Sequence, residues 1–222
     1  MRLVALGAAI LGSLLTVGAA LAVPISPSPT ITFGPITADT FGAVITQSGT
    51  GGGGPTLITN IDVSAVDSTT LRFTSGFSAF SDFDEDVLIS YHVTSTQPIT
   101  AIDLSFNGSV LFGMAVTSVV ERVHSGSPAG PIVGMMTVSC SFLGSCDFQD
   151  PAYELSDIPL SGAFTELWID KDTNLTALLN AATVDSVIDQ GFHTNVPEPA
   201  SLAVLGSGML ALGIIRRRRQ GD

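Results

Sequence analysis

Basic residues are scarce in this chain. Eight Lys and Arg face 20 Asp and Glu among 222 residues, for a net charge of −12. An acidic surface of that kind repels phosphate, which excludes nucleic acid as a partner. Cysteine is scarcer still: two residues cannot staple a disulfide-dense scaffold. Charged residues make up only 13%, against about 25% in an average soluble domain. Hydrophobic residues nevertheless reach 45%, which excludes an intrinsically disordered chain. Catalytic signatures are missing as well. There is no H-E-x-x-H and no G-x-S-x-G, and His92, His124 and His193 fall in separate segments that read as strand or turn positions. No internal repeat is evident, which argues against a solenoid or propeller.

What is present is distributed unevenly. Arg2 is followed by an uncharged run over residues 3–21 that closes on Ala20-Leu21-Ala22, with Val23-Pro24 after it. A basic start, an apolar middle and a small-residue exit make residues 1–22 a signal peptide helix, cleaved between Ala22 and Val23. It implies the Sec translocon and signal peptidase as partners. At the other end, Val196, Pro197, Glu198, Pro199 and Ala200 lead into an uncharged stretch that ends at Ile215, ahead of Arg216, Arg217, Arg218 and Arg219. Residues 200–215 as a helix rise roughly 24 Å, a little short of a ~30 Å hydrocarbon core. Snorkelling arginines lengthen the span. Four arginines on one side also keep that end cytoplasmic, so the domain before it lies outside.

This end resembles the PEP-CTERM sorting signal of Gram-negative bacteria, with motif, short apolar helix and basic cluster in order over residues 196–222. The resemblance implies export, transient anchoring in the inner membrane, and cutting near the Pro-Glu-Pro by the protease-transpeptidase exosortase. It also implies a destination at the cell surface or in an exopolysaccharide-rich extracellular matrix, as in biofilm. Three internal stretches, 104–108, 168–172 and 188–192, loosely resemble phrases in other proteins with such a tail. They bring no activity with them.

Between the two ends, residues 23–195 form one exported domain. Glu198 and Asp222 are the only acids outside it, so eighteen acids face Arg72, Arg122 and Lys171 there, a net charge of −15. The hydrophobic pattern alternates with period two. Val87, Ile89, Tyr91 and Val93 share one face; Ala115, Thr117, Val119, Glu121 and Val123 share another. Strands are expected over 31–33, 41–45, 57–63, 69–77, 87–94, 102–106, 110–123, 132–140, 164–169 and 182–192. Asn107-Gly108 is a tight-turn signal. The one helix-like piece is 173–181, with Asp172 as its N-cap. Residues 48–55, with four consecutive glycines, read as a flexible loop tip or a short linker. The expected fold is all-β, an antiparallel β-sandwich of jelly-roll or immunoglobulin-like type.

Candidate chemistry is thin. Cys140 and Cys146 are expected to form a disulfide in an oxidising compartment, closing a small loop after the 132–140 strand. Two thiols without further ligands make a metal site unlikely there. Asp82, Asp84, Glu85 and Asp86 are a candidate calcium site, set against a solvated turn, because the EF-hand spacing is absent; Asp147 with Asp150 is a second acidic patch. Trp168, the one tryptophan, lies between Glu166 and Asp170. If Leu167 and Ile169 face the core, Trp168 faces outward beside carboxylates, an arrangement suited to stacking on a sugar ring. No catalytic residue and no cofactor is nominated. The sequence therefore reads as an exported structural or adhesive surface protein beside exopolysaccharide. A carbohydrate-binding module is the alternative. A polysaccharide-acting hydrolase comes third, because its pair of carboxylates about 5–9.5 Å apart cannot be picked out of eighteen acids.

Overall fold

Alternating burial is what organises the domain. In β7 (Phe83–Phe106), the side chains of Val87, Ile89, Tyr91 and Val93 are buried while the intervening ones face outward. The computed structural model describes residues 22–55, 57–141 and 154–194. The described chain is all-β and antiparallel. Its strands are β1 (Val23–Pro24), β2 (Ile31–Phe33), β3 (Ile36–Gly49), β4 (Gly52–Gly54), β5 (Asp62–Ala65), β6 (Thr70–Phe80), β7, β8 (Ser109–Phe112), β9 (Ala115–Ser125), β10 (Ile132–Ser141), β11 (Glu154–Ala177) and β12 (Ala182–Thr194). The signal peptide with Ala20, the sorting motif, the apolar segment and the arginine cluster lie outside the described residues. Among those described, no helix is long and apolar enough to cross a membrane.

Two long strands serve both layers of the domain. The first half of β7 pairs with β3 and with the second half of β11; its last residues, from Ile99 to Phe106, pair with β12 and the start of β11. The β7–β11 ladder shifts register at Leu155/Ile158, Pro159/Phe164 and Phe164/Glu166. Such bulges bend a strand and sharpen its twist, and here they carry the pair from one layer into the other. The front layer is β2-β3-β7-β11-β9-β10; the back layer runs β1-β5-β6-β12 and returns to β7, with β4 beside β6 and β8 beside β12.

Aromatic rings join the layers. Phe73 of β6 meets Phe41 of β3 and Tyr91 of β7, with ring centroids 6.2 and 5.3 Å apart. Phe33 of β2 meets Phe192 of β12 at 6.1 Å. Phe73 is fully buried, so truncating it to alanine costs about 3–5 kcal/mol in lost burial and cavity.

Five details differ from the sequence reading. The expected strand 57–63 holds a 3-10 turn, Ile58–Asn60, and the strand β5 begins only at Asp62. Residues 173–177 continue β11 instead of forming a helix. Thr173, Leu175 and Ala177 are buried and alternate with Asp172, Asn174 and Thr176 on the other face. A nine-residue helix has little stability of its own, whereas ladders with β7 and β9 satisfy this backbone on both sides. Asp172 is accordingly no N-cap, and among the described residues the helical turn that does form is the short 3-10 piece Ile58–Asn60. The expected strands 87–94 and 102–106 are one strand, β7. Conversely, the expected strand 110–123 divides at Gly113, whose φ of +73 sends the chain from β8 in the back layer to β9 in the front. A Cβ at Gly113 would lie 2.5 Å from the Asn180 carbonyl oxygen, so glycine alone fits that crossing. The glycine run is neither linker nor loop tip: Gly52–Gly54 pairs with Ser78–Phe80 as β4.

Candidate functional site

Register across the front layer builds one row of side chains on its outer face. Asp39 of β3 stands opposite His92 of β7, His92 opposite Trp168 of β11, and Trp168 opposite His124 of β9. Leu167 and Ile169 are buried in the core, so the intervening Trp168 faces outward, half-buried, as expected. Its indole lies against the His92 imidazole, with ring centroids 4.6 Å apart and planes inclined by 32°.

Carboxylates hold the row in place. His92 Nδ1 is 2.9 Å from Asp39 Oδ1, and His92 Nε2 is 3.2 Å from Glu166 Oε1. Both ring nitrogens are therefore engaged, which fixes the plane that Trp168 packs on. Partial burial works to raise the Asp39 pKa, but hydrogen bonds from His92 and Thr40 outweigh it and hold the carboxyl below its ordinary value. On the far side of the indole, His124 Nε2 lies 3.5 Å from Asp170 Oδ2, and His124 Nδ1 lies 3.0 Å from the Gly130 carbonyl oxygen. One strand-step further along the same face, Arg122 Nη1 is 3.6 Å from Asp172 Oδ2. Asp86, opposite Asn174 in the β7–β11 ladder, interacts with Asp172 on the diagonal. Burial and then the Asp172 carboxylate push its pKa up.

The face thus presents one half-buried aromatic ring ringed by fixed hydrogen-bonding groups. An aromatic face stacks on the apolar side of a pyranose, while flanking carboxylates and imidazoles bind hydroxyls. The sequence pointed to Trp168, Glu166 and Asp170. It did not show that His92 and His124 flank the indole, because that depends on the pairing of β7, β11 and β9. His193 lies apart, on β12, with Nε2 2.7 Å from Asp103 Oδ2.

The acidic cluster does not converge. Ser81 and Asp82, with φ of 52 and 63, make the tight turn from β6 into β7, and Asp82 Oδ2 accepts a bond from Thr50 Oγ1 at 3.1 Å. After that turn the strand alternates. Asp84 and Asp86 project outward, whereas Glu85 is fully buried and takes a long 3.5 Å bond from Gln47 Nε2. Burial pushes the Glu85 carboxyl up to about 8, against the pull of its hydrogen bonds. A calcium ion needs six to eight oxygens pointing to one centre. Among the described residues, no group of three or more His, Cys, Asp or Glu side chains is placed to hold a metal. The second acidic patch, Asp147 with Asp150, lies outside the described residues. Cys140, buried in β10, is disulfide-bonded; the chain's other cysteine, Cys146, also lies outside the described residues.

Elsewhere, a cleft of about 310 Å³ opens between Arg72, Ser105, Phe106, Asn107, Val187 and Asp189 in the back layer. Arg72 is already paired there. Its Nε and Nη2 bind the two oxygens of Asp189 at 2.7 and 2.6 Å. Inside the domain, Lys171, Glu121 and Gln190 form a polar group with no solvent access. Alternation in the sequence signals two of these: Lys171 is in phase with Leu167 and Ile169, and Glu121 with Val119 and Val123.

Residues 195–219 match the PEP-CTERM protein-sorting motif. No curated protein matches the chain. Among solved structures, the chain is similar to TmCBM61 in complex with beta-1,4-galactotriose, at 11% identity over 67% of this chain and 88% of that one, with a TM-score of 0.32. It is also similar to the enzymatically active domain of bacteriophage CBA120 tailspike protein 4, at 13% identity over 68% of this chain and 19% of that one, TM-score 0.31. A third is the family 11 carbohydrate-binding module of cellulase Lic26A-Cel5E from Clostridium thermocellum, at 13% identity over 86% and 97% of the two chains, TM-score 0.19. Scores this low carry no argument about function.

Proposed function

We propose that this chain, which carries a PEP-CTERM sorting motif and is thereby marked for export and membrane processing, is an adhesive surface or matrix protein that holds exopolysaccharide on the Trp168 face. The signal peptide takes it through the Sec translocon, and signal peptidase cuts after Ala22. The apolar segment and Arg216–Arg219 then park it in the inner membrane of a Gram-negative cell, with the C-terminus cytoplasmic. Exosortase cuts near Pro197-Glu198-Pro199 and releases the domain or passes it on to the surface.

One observation carries the binding reading: the row Asp39–His92–Trp168–His124, an outward indole with immobilised polar groups on both sides. Because His92 and its carboxylates are already ordered by mutual bonds, little side-chain entropy remains to be lost when a sugar docks. Two measurements test the reading. Intact-mass analysis of the secreted protein is expected to show loss of the arginine tail; retention of Arg216–Arg219 in all mature protein sinks the sorting step. A glycan array on the wild type and Trp168→Ala is expected to show binding that the substitution abolishes. Equal binding by both removes the Trp168 face as the contact, and release of cut oligosaccharides by the wild type replaces adhesion with hydrolysis.

A further inference from the structure

Three side chains meet where the two layers face each other. Lys171 projects inward from β11 directly opposite Glu121 of β9. Gln190 reaches them from β12 of the other layer. All three are fully buried. Lys171 Nζ contacts Glu121 Oε2 and lies 2.5 Å from Gln190 Oε1. With a carbonyl bond of ~1.23 Å, that contact holds the Gln190 amide carbon within about 3.7 Å of the lysine nitrogen. The separation approaches the ~3–3.5 Å of a near-attack geometry. The Gln190 Nε2 group donates to the Gly191 carbonyl oxygen at 3.1 Å. Glu121 Oε1 has no hydrogen-bond partner, so one carboxyl oxygen holds the amine while the other remains free to carry a proton.

We infer that Lys171 and Gln190 condense spontaneously into an intramolecular isopeptide bond, with Glu121 as the catalytic proton carrier. The neutral Lys171 amine attacks the Gln190 carboxamide carbon. Glu121, protonated, first supports the carbonyl oxygen as negative charge develops on it. It then moves the proton shed by the lysine nitrogen to the departing amide nitrogen. One C–N bond forms, one C–N bond breaks, ammonia leaves, and Glu121 returns to its protonated form. No oxidant, metal or cofactor is consumed.

The surroundings favour each step. Burial pushes the Glu121 carboxyl up and the Lys171 ammonium down; their mutual attraction opposes both shifts without cancelling them. Both shifts favour the neutral pair from which the reaction starts. Water, the competing nucleophile, is kept out by the core. Ionising this buried pair would cost heavily in desolvation, and condensation replaces the amine with a neutral amide. The new bond ties β11 of the front layer to β12 of the back layer, so the two layers can no longer part.

Peptide mapping of the exported, folded full chain tests this. After reduction, denaturation and trypsin, the expected product is one peptide running uncut through position 171, lighter by the mass of one ammonia. Its fragment series should be interrupted between 171 and 190. Gln190→Leu, which keeps the core apolar, is expected to restore the full mass and cleavage after Lys171. Glu121→Gln is expected to leave Lys171 largely unlinked. Complete cleavage after Lys171 in the wild type overturns the inference, and so does an ammonia loss that persists in Gln190→Leu. A loss of one water, with Lys171 joined to Glu121, overturns the assignment to Gln190. Linkage undiminished in Glu121→Gln overturns the role given to Glu121. None of these outcomes depends on glycan binding by the Trp168 face.

Discussion

The Trp168 indole rests on the His92 imidazole at a centroid distance of 4.6 Å, and His92 is held from both of its nitrogens by carboxylates on two other strands, Asp39 and Glu166. The outward ring is thus positioned by a second ring whose two nitrogens are both tethered. His92→Ala removes that support. The expected outcome is a shift of tryptophan emission to longer wavelength and a loss of about 0.5–1.5 kcal/mol of stability, the usual worth of such a ring pair. Trp168 is the chain's only tryptophan, so intrinsic fluorescence during denaturant titration reports this site alone. Phe in place of His92 is expected to restore the emission but not the tethers to Asp39 and Glu166.

Two buried carboxyls make stability depend on pH. Burial raises Glu85 from 4.5 to about 8 and Asp185 from 3.8 to about 7. Between the ordinary and the raised value, the folded chain keeps a proton that the unfolded chain has lost. Stability therefore falls as pH rises through that window, by at most about 1.4 kcal/mol per pH unit for each group, and levels off above it. Glu85→Gln removes one share of the slope. Urea denaturation at about pH 5 and about pH 8 is expected to show the variant gaining on the wild type at the higher pH. Parallel losses in both proteins would contradict the burial of Glu85.

Asn107 joins the end of β7 to β12 by a backbone bond, from its amide to the Val187 carbonyl oxygen at 3.1 Å, and by three side-chain bonds. Its Oδ1 accepts from the Ser186 and Val187 amides, both at 2.8 Å, and its Nδ2 donates to Ser186 Oγ at 2.8 Å. Alanine at 107 leaves the Ser186 amide without this acceptor and gives up the others. A loss of roughly 2 kcal/mol is expected in urea unfolding. Asp at 107 keeps the acceptor and is expected to lose less.

The strands and their inner faces were legible in the sequence wherever apolar residues alternate, as at Val87, Ile89, Tyr91 and Val93. The outward turn of Trp168 followed from Leu167 and Ile169 by the same rule. Residues 173–177 misled because Leu175 and Ala177 suit a helix as well as a strand, and only the ladders on either side decide between them. The approach of His92 and His124 to the indole, and of Gln190 to Lys171, depends on which strands pair and which layer each joins. Those are long-range facts that no local pattern encodes. The division at Gly113 has the same origin: the chain must change layers there, and the surrounding residues 110–116 are a continuous apolar run that marks no break.

The four glycines at 51–54 separate a strand from a linker experimentally. A Cβ on Gly53 would lie 2.1 Å from the Ser78 carbonyl oxygen and 2.5 Å from the Phe83 ring, whereas a Cβ on Gly52 meets nothing within 4 Å. In a flexible linker, alanine at either position changes stability little and by similar amounts. In β4, paired with Ser78–Phe80, the two positions differ sharply. Gly53→Ala must push the backbone of β6 or the Phe83 ring aside and is expected to cost about 1–3 kcal/mol, as overpacking does. Gly52→Ala is expected to be neutral or to stabilise by up to about 1 kcal/mol, since it only narrows the unfolded ensemble. Denaturant midpoints of the two single variants measure the difference, and equal midpoints would return residues 51–54 to the status of a loop.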